Sequence, residues 1–444
     1  MTGALFDSLF MDERNRLVTE LAETFRVPAF LVGGSVRDAV MGRPVRDYDF
    51  ALGGAVCELP REFSVRSGGT FFWLDRKRQQ SRVVTGREGE RLTFDFAPFR
   101  GDTIREDLNL RDFTVNALAL SLIRGEEGLL DPLGGMADIR TGIVRMCSRA
   151  AFADDPLRML RAFRFAATLG FTVEGRTLGE IGREPARLGR VAGERIRDEF
   201  FIILGASGIG NSLRSLHRAG LLSHIIPSDL CKGGTNSAPE ERIAFAAKVE
   251  QLAMDLERLF PVDGRRLRDH LQRQAEGDIP VLSLVKLAAL LAGEGWERLV
   301  RDTVSRLKLG NKARDALRAL CGCMASFPDL PPEGVNERPL YRFFRDRQPA
   351  GAEVLLLPLA AGLLSPQLAG RMLSFYVHRY RSADRDLLLS GDEVMALLHI
   401  PQGLALGRFM ERLREAESMG MVATAGEARE FLLKKQLTEQ GLPG

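Results

Sequence analysis

The alternation of apolar and polar positions divides the chain into a first part of mixed period and a long remainder of helical period. Residues 1–29 carry apolar side chains at helical spacing, with Leu5, Leu9, Leu17 and Leu21 among them, and predict a helix that leads into a strand. Phe30-Leu31-Val32 is a short apolar run and Gly33-Gly34-Ser35 a tight turn. An amphipathic segment follows, then Arg46–Leu52, giving strand, turn, helix, strand. Phe71-Phe72-Trp73, Ser81-Arg82-Val83-Val84 and Arg91–Phe96 read as further strands. Within Leu92–Phe96 the alternation sets Thr93 and Asp95 on one face and the apolar residues on the other. From Asp154 the period is helical. Asp155 followed by Pro156 predicts a capped helix start. Leu213, Leu216, Leu221 and Leu222 continue the helical pattern over Ser212–Ile226. Residues 227–240 read as a loop and boundary, 241–330 as helices, and the Pro-rich 327–338 as a linker. The fold class is therefore α+β: a first domain with a mixed β-sheet and helices, followed by an all-helical remainder.

Composition narrows the function classes. With 444 residues the chain has room for more than one domain and a large core. Hydrophobic residues make up 45% and charged residues 27%, ordinary for a water-soluble chain. No apolar run reaches ~18 residues, so no membrane span or membrane partner is expected. The N-terminus lacks a basic region followed by an apolar core, so no signal peptide is expected. Five cysteines in this length point to a reducing, cytoplasmic setting without a disulfide framework. Cys321-x-Cys323 has no second Cys or His pair near it and reads as core or helix-surface thiols. The net charge of +3 excludes a general polycation, although the 62 Lys and Arg can still cluster on one face. Arg outnumbers Lys, which suits phosphate recognition and equally fits a GC-rich genome.

The stretch Phe30–Phe50 carries the first candidate chemistry. Glycines after a strand let backbone N–H groups approach a phosphate, and the following helix start favours an anion. Gly33, Gly34, Ser35 and Arg37 are candidate phosphate contacts. Asp47 and Asp49, two apart on a strand, point to one face. At ~4 Å and an effective dielectric near 20 their repulsion costs ~4 kcal/mol. A divalent ion relieves it, and hard carboxylate oxygens suit Mg²⁺ shared with substrate phosphates. The alternative for an isolated Asp-x-Asp is a solvated strand end; the Gly-Gly-Ser turn and Arg37 upstream favour the metal. Asp95 is either a third acidic group beside them or a surface residue of an edge strand.

Gly-Gly-Ser-Val-Arg-Asp followed by Asp-x-Asp resembles the nucleotidyltransferase head of the polymerase β superfamily. The longer string LVGGSVRDAVMGRPVRDYDF resembles the bacterial tRNA nucleotidyltransferase and poly(A) polymerase family, the class II CCA-adding type. Arg111-Asp112-Phe113-Thr114-Val115-Asn116-Ala117 resembles its second motif, with Leu110 where an Arg is usual. The resemblance makes Arg111 a triphosphate contact and Asn116 a sugar or backbone contact. Asp131–Asp138 matches the third motif, D-P-x-G-G-x-x-D, expected to be a hinge between head and neck. Asp154-Asp155 with Arg158, Arg161 and Arg164 resembles the fourth, with Asp154 where Glu is usual. At ~100° per residue Asp155, Arg158 and Arg161 share a helix face, and Arg164 lies ~180° from Asp155. A bare R-x-x-R is ordinarily a solvated face. The resemblance instead implies that Asp155 and Arg158 read the base of the incoming nucleotide through its Watson–Crick edge. Arg161 and Arg164 would support base or phosphate. Glu194–Glu199 resembles the fifth motif, a neck-stabilising element. Many relatives carry a phosphohydrolase domain further on; here Leu284–Leu291 is followed by no His-Asp pair, and no phosphohydrolase activity is expected. Pro401–Gly407 resembles the turn before a tail helix that meets tRNA.

The resemblance divides the chain into a head at 1–145, a neck at 146–225, a body at 226–335 and a tail at 336–444. It implies template-independent addition of C, A or both to the 3′ end of tRNA or another RNA. Two Mg²⁺ ions ~3.5–4 Å apart would sit on Asp47 and Asp49, with CTP or ATP as donor. Relatives that add all of CCA carry a longer, flexible loop where this chain has only Phe96–Arg105, and a shortened loop resembles enzymes that add CC alone. Full CCA addition, A addition and poly(A) synthesis stay open. So do two other classes. One is transfer to a small molecule or protein, which the tail argues against. The other is a non-catalytic RNA-binding protein, which the intact Asp pair argues against. No obligate protein partner is evident.

Overall fold

The computed structural model describes residues 13–86, 91–122, 128–227, 239–327, 337–380 and 387–439. Leu5 and Leu9 of the expected first helix lie outside them, as do most of the 227–240 loop and the 327–338 linker. The chain divides into two compact units, residues 1–203 with 215–224, and residues 204–214 with 225–444.

The first unit holds α1 (Glu13–Phe25), β1 (Ala29–Val32), α2 (Gly34–Val40), β2 (Asp47–Leu52), α3 (Glu58–Ser67), β3 (Thr70–Asp75), β4 (Gln80–Thr85) and β5 (Leu92–Pro98). It continues with α4 (Ile104–Asn109), β6 (Ala119–Ser121), β7 (Leu129–Leu130), α5 (Gly135–Thr141), α6 (Ala151–Asp154), α7 (Leu157–Leu169), α8 (Gly175–Arg183) and α9 (Gly193–Gly205). The seven strands form one mixed sheet in the order β3-β4-β5-β2-β1-β6-β7. Only β2–β5 is parallel; the other neighbours are antiparallel. Two-residue alternation gives this sheet two different faces. Tyr48 and Phe50 of β2 stack on Phe94 and Phe96 of β5, and Phe63 of α3 closes over both rings of β5. Asp47, Asp49 and Asp95 point the other way. Burial of one face thus fixes the register that presents the acids on the other.

The Asp131–Asp138 motif, expected as a structural hinge, is hydrogen-bonded within the first unit. Asp131 accepts the N–H groups of Gly135 (2.6 Å) and Met136 (3.0 Å), starting α5. A Cβ on Gly135 would meet the Thr114 carbonyl oxygen at 2.2 Å, so glycine is required there. Asp138 accepts from the Thr114 hydroxyl (2.6 Å) and from Arg145 Nε (2.9 Å). The motif fastens the short 3₁₀ turn Thr114–Asn116 of the same unit.

Among its described residues the second unit is helical apart from the short pair Gln274–Glu276 and Ile279–Pro280, which the hydrophobic pattern did not signal. Helix Val281–Leu291 is buried almost throughout. Its one charge, Lys286, donates to Glu250 (2.8 Å) and to the Leu204 carbonyl (2.9 Å), and Glu250 accepts the Ile209 N–H (3.0 Å). Burial of that charge is tolerated because every partner is supplied. Cys321 and Cys323 are both core thiols. Helices Gly391–Leu398, Leu404–Ser418 and Ala425–Glu439 enclose a core of Leu398, Phe409, Leu413 and Leu432 among others. Among the described residues no helix is long and apolar enough to cross a membrane.

Candidate active site

Asp47 and Asp49 are held by a side chain from the turn before them. The Ser35 hydroxyl donates to the Asp47 carbonyl oxygen (3.1 Å) and accepts the Asp49 N–H (2.9 Å). Ser35, a candidate phosphate contact by sequence, is buried and spent on this strand. Asp95 is the Cα partner of Asp49 on β5. Both Asp95 oxygens are gripped by Arg82, at 2.6 Å from Nε and 2.7 Å from Nη2. Burial pushes the Asp49 carboxyl up to about 6, and the charges of Asp95 and Asp47 add to it against Arg111 and Arg82.

A carboxylate raised by burial and then by its acidic neighbours gains from a bound cation. Among the described residues no group of three or more His, Cys, Asp or Glu is arranged to hold an ion unaided. Asp47 and Asp49 therefore fit a hard divalent ion whose shell is completed from outside the chain, by water and substrate phosphate oxygens. Asp95, paired with Arg82, adds to the negative charge that Asp49 meets.

The glycine turn brings cations to the same cleft. Gly33 has φ +72°, and a Cβ there would lie 2.9 Å from Arg111 Nη1. Glycine is needed both for the backbone and for the approach of Arg111. Arg111 is anchored by Asp107, four residues before it (2.9 Å). Arg37 of α2 is buried, donates to Asn116 Oδ1 (2.6 Å), and is clasped by Asp38 through Nε and Nη2 (2.9 Å each). Asn116 in turn donates to Asp112 (3.1 Å). Burial alone would raise the Asp112 carboxyl, but Arg161, Asn116 and the Phe113 N–H outweigh it and hold it below its ordinary value.

In the Asp155–Arg164 segment Asp155 caps the start of α7, as the sequence predicts: it is extended, its side chain accepts the Leu157 N–H (3.2 Å) and its carbonyl oxygen accepts the Arg158 N–H (3.0 Å). The partner of Asp155 is Arg195 of α9, at 2.7 Å and 3.3 Å; Arg158 instead reaches the Ala151 carbonyl oxygen at 3.4 Å. Arg161 pairs with Asp112 (2.7 Å). Arg164, expected on the far side of the helix, faces the same cleft as Asp155, Arg158 and Arg161. Its guanidinium lies 4.0 Å from the Phe165 ring centroid, and its Nε 2.6 Å from Glu199. A helical wheel places a Cβ, and a long arginine folded across an aromatic ring reaches round that position.

Most of these residues line one cleft of about 550 Å³ within the first unit, although Arg82, Arg195 and Glu199 do not. Its acidic end is Asp47, Asp49 and Asp95; its basic end is Arg37, Arg111, Arg158, Arg161 and Arg164. The sequence reading gave no site role to Arg82, Arg100, Asp107, Arg195 or Glu199. Arg82 and Asp107 carried a signal, since Arg82 alternates onto the Asp95 face and Asp107 stands four residues before Arg111 on a helical turn. The other pairings are long-range.

The head of the chain, residues 29–145, matches the family model described as poly A polymerase head domain, and residues 170–228 match that described as probable RNA and SrmB-binding site of polymerase A. The CC-adding tRNA nucleotidyltransferase of Geobacter sulfurreducens is 40% identical over 423 residues, 95% of this chain and 95% of that protein. The chain belongs to the tRNA nucleotidyltransferase and poly(A) polymerase family. As a member it is a nucleotidyltransferase. The A-adding tRNA nucleotidyltransferase of Deinococcus radiodurans is 32% identical over 447 residues, covering 91% of this chain and 94% of that one. A solved apo CCA-adding enzyme shares the fold at a TM-score of 0.70 and 22% identity, covering 94% of this chain and 93% of its own. Polymerase β-type nucleotidyltransferases generally use divalent metal ions, in keeping with the acidic end of the cleft.

Proposed function

We propose that this chain adds two C residues to the 3′ end of tRNA, with CTP as donor, and leaves the terminal A to another enzyme. The observation that carries the choice of CC is the connection Phe99–Thr103 between β5 and α4. Thr103 caps α4 by accepting the Glu106 N–H (3.3 Å), Glu106 accepts the Asp102 N–H (2.7 Å), and Asp107 accepts the Arg100 N–H (3.1 Å). The connection is short and tied to its own helix. No length remains to swing over the cleft as the longer loop of CCA-adding relatives does. The Geobacter relative supports the same choice.

Asp47 and Asp49 would hold Mg²⁺, with Asp95 and Arg82 setting the local charge. When bound, the ions activate the RNA 3′-hydroxyl and neutralise the departing pyrophosphate. Arg37 and Arg111, prearranged by Asp38, Asn116 and Asp107, present fixed positive charge to the triphosphate. Asp155 accepts from the exocyclic amine of cytosine, and Arg158 donates to its ring acceptors. Uracil and guanine carry a carbonyl where that amine stands and leave Asp155 facing an acceptor. Arg195 holds Asp155 still, and Glu199 holds Arg164. The cytoplasm is the proposed compartment.

The test is incubation with tRNA lacking its 3′ CCA and each labelled nucleotide, read at single-nucleotide resolution. Addition of two C and a stop, with or without ATP, is expected. Addition of A to a tRNA ending in CC, without C addition, would establish the second reading, an A-adding enzyme like the Deinococcus relative.

A further inference from the structure

The catalytic face of the sheet continues beyond Asp95. Asp49, Asp95, Arg82 and Phe72 are successive Cα partners across β2, β5, β4 and β3. Directly paired residues share a face, so Phe72 and its neighbour-but-one Leu74 stand on the side of the acids. The other side of β3 is occupied: Phe71 packs edge-on against Trp73 and lies 4.9 Å from the Arg61 guanidinium of α3. On the catalytic side Phe72 is 39% and Leu74 47% exposed, and Leu74 also lines the cleft. Next to them the β3–β4 turn carries exposed Arg76, Lys77 and Arg78. Its one acid, Asp75, accepts the N–H groups of Lys77 (2.9 Å) and Arg78 (3.1 Å) and lies 3.8 Å from Arg78 Nε, so the turn keeps a net positive charge.

We propose that Phe72, Leu74 and the Arg76-Lys77-Arg78 turn form the platform that carries the single-stranded 3′ end of the RNA to Asp47 and Asp49. The inference rests on the RNA-extending reading above and adds to it where the acceptor strand lies. An exposed aromatic beside a row of cations matches single-stranded RNA in both its parts, a base face for the ring and phosphates for the charges. A protein partner would use the apolar pair but has no need of three cations beside it. Three strand spacings of about 4.8 Å set Phe72 about 14 Å from Asp49, which a stacked strand at 3.4 Å per nucleotide covers in about four nucleotides. The platform therefore meets the strand just behind the reacting hydroxyl.

The experiment measures KM for truncated tRNA, KM for CTP, kcat, and equilibrium RNA binding on the full chain. Phe72→Ala should raise KM and Kd for RNA by roughly ten- to a hundredfold, as loss of a base-stacking ring does, with KM for CTP unchanged. Phe72→Tyr should restore RNA binding, which a mere folding defect would not allow. Changing Arg76, Lys77 and Arg78 together to Gln should flatten the salt dependence of binding. Unchanged RNA affinity in Phe72→Ala and Leu74→Ala, or a change in self-association instead, overturns the platform while C addition by wild type stands. A wild type that binds tRNA but extends no RNA overturns the nucleotidyl-transfer reading, and the binding measurements still judge the platform.

Discussion

Asp49 faces Asp95 as its direct partner across the parallel β2–β5 ladder, and Asp95 is the carboxylate that Arg82 neutralises. Asp49 is left with the excess negative charge. Its carboxyl is pushed up to about 6, first by burial and then by Asp95.

That shift sets a pH dependence for the metal-free protein. Folded, Asp49 binds its proton more tightly than in the unfolded chain, where the ordinary value is 3.8. Its contribution to stability is therefore full below pH 3.8 and is lost as pH rises through about 6. Between pH 4 and 7 the Asp49→Asn protein should gain on wild type by ~1–3 kcal/mol, measured as the difference in denaturation midpoint at each pH. Mg²⁺ at pH 7.5 should raise the Tm of wild type and leave that of Asp49→Asn nearly unmoved. Parallel pH curves for the two proteins would refute the assignment.

Activity should go the opposite way. Asp47→Ala and Asp49→Ala should lower nucleotide incorporation by roughly a thousandfold or more, as loss of a charge-stabilising group in a closed site does, without loss of folding. Near-normal incorporation by either variant with Mg²⁺ would remove these residues from the metal site.

Ser35 offers a separate check. Its hydroxyl bridges Asp47 and Asp49 from a buried position, so Ser35→Ala leaves the Asp49 N–H without its partner. A loss of ~1–3 kcal/mol in stability is expected, together with a fall in kcat and little change in KM for CTP. A selective rise in KM for CTP would instead make Ser35 a nucleotide contact.

Local features of the sequence carried much of this. The Gly33–Ser35 turn, the Asp47/Asp49 strand and the shared face of Asp95 follow from two-residue periodicity and glycine chemistry. Pairings between distant segments did not follow. Arg82 with Asp95, Arg195 with Asp155 and Glu199 with Arg164 depend on which strands and helices become neighbours, and a local period is silent on that. The reach of Arg164 into the cleft was hidden for a different reason, since rotation per residue describes the backbone while the arginine stem chooses its own path across Phe165. The strand clamp made by Ser35 was not legible either, because a serine after two glycines suits a phosphate and a strand clamp equally.

The last prediction concerns base choice, through Asp155, Arg158 and Arg195. Asp155 is held by Arg195 from α9, while Arg158 faces the cleft and reaches the Ala151 carbonyl oxygen. A carboxylate has about four acceptor sites, so the Arg195 pair leaves capacity for a cytosine amine and fixes where that capacity points. Arg158→Ala removes the donor half of the reading pair, and leaving its partner groups unmatched costs ~1–3 kcal/mol, roughly ten- to a hundredfold in discrimination of CTP against UTP. Arg195→Gln keeps every base-contacting atom and loosens Asp155, so it should reduce discrimination less than Arg158→Ala does, with RNA affinity retained. A merely solvated basic face predicts the reverse: weaker tRNA binding in both variants, a flatter salt dependence and unchanged base preference. Measuring kcat/KM for all four nucleotides beside tRNA affinity separates the two. If Arg158→Ala alters only tRNA affinity, α7 is a docking surface and the base is read elsewhere in the cleft.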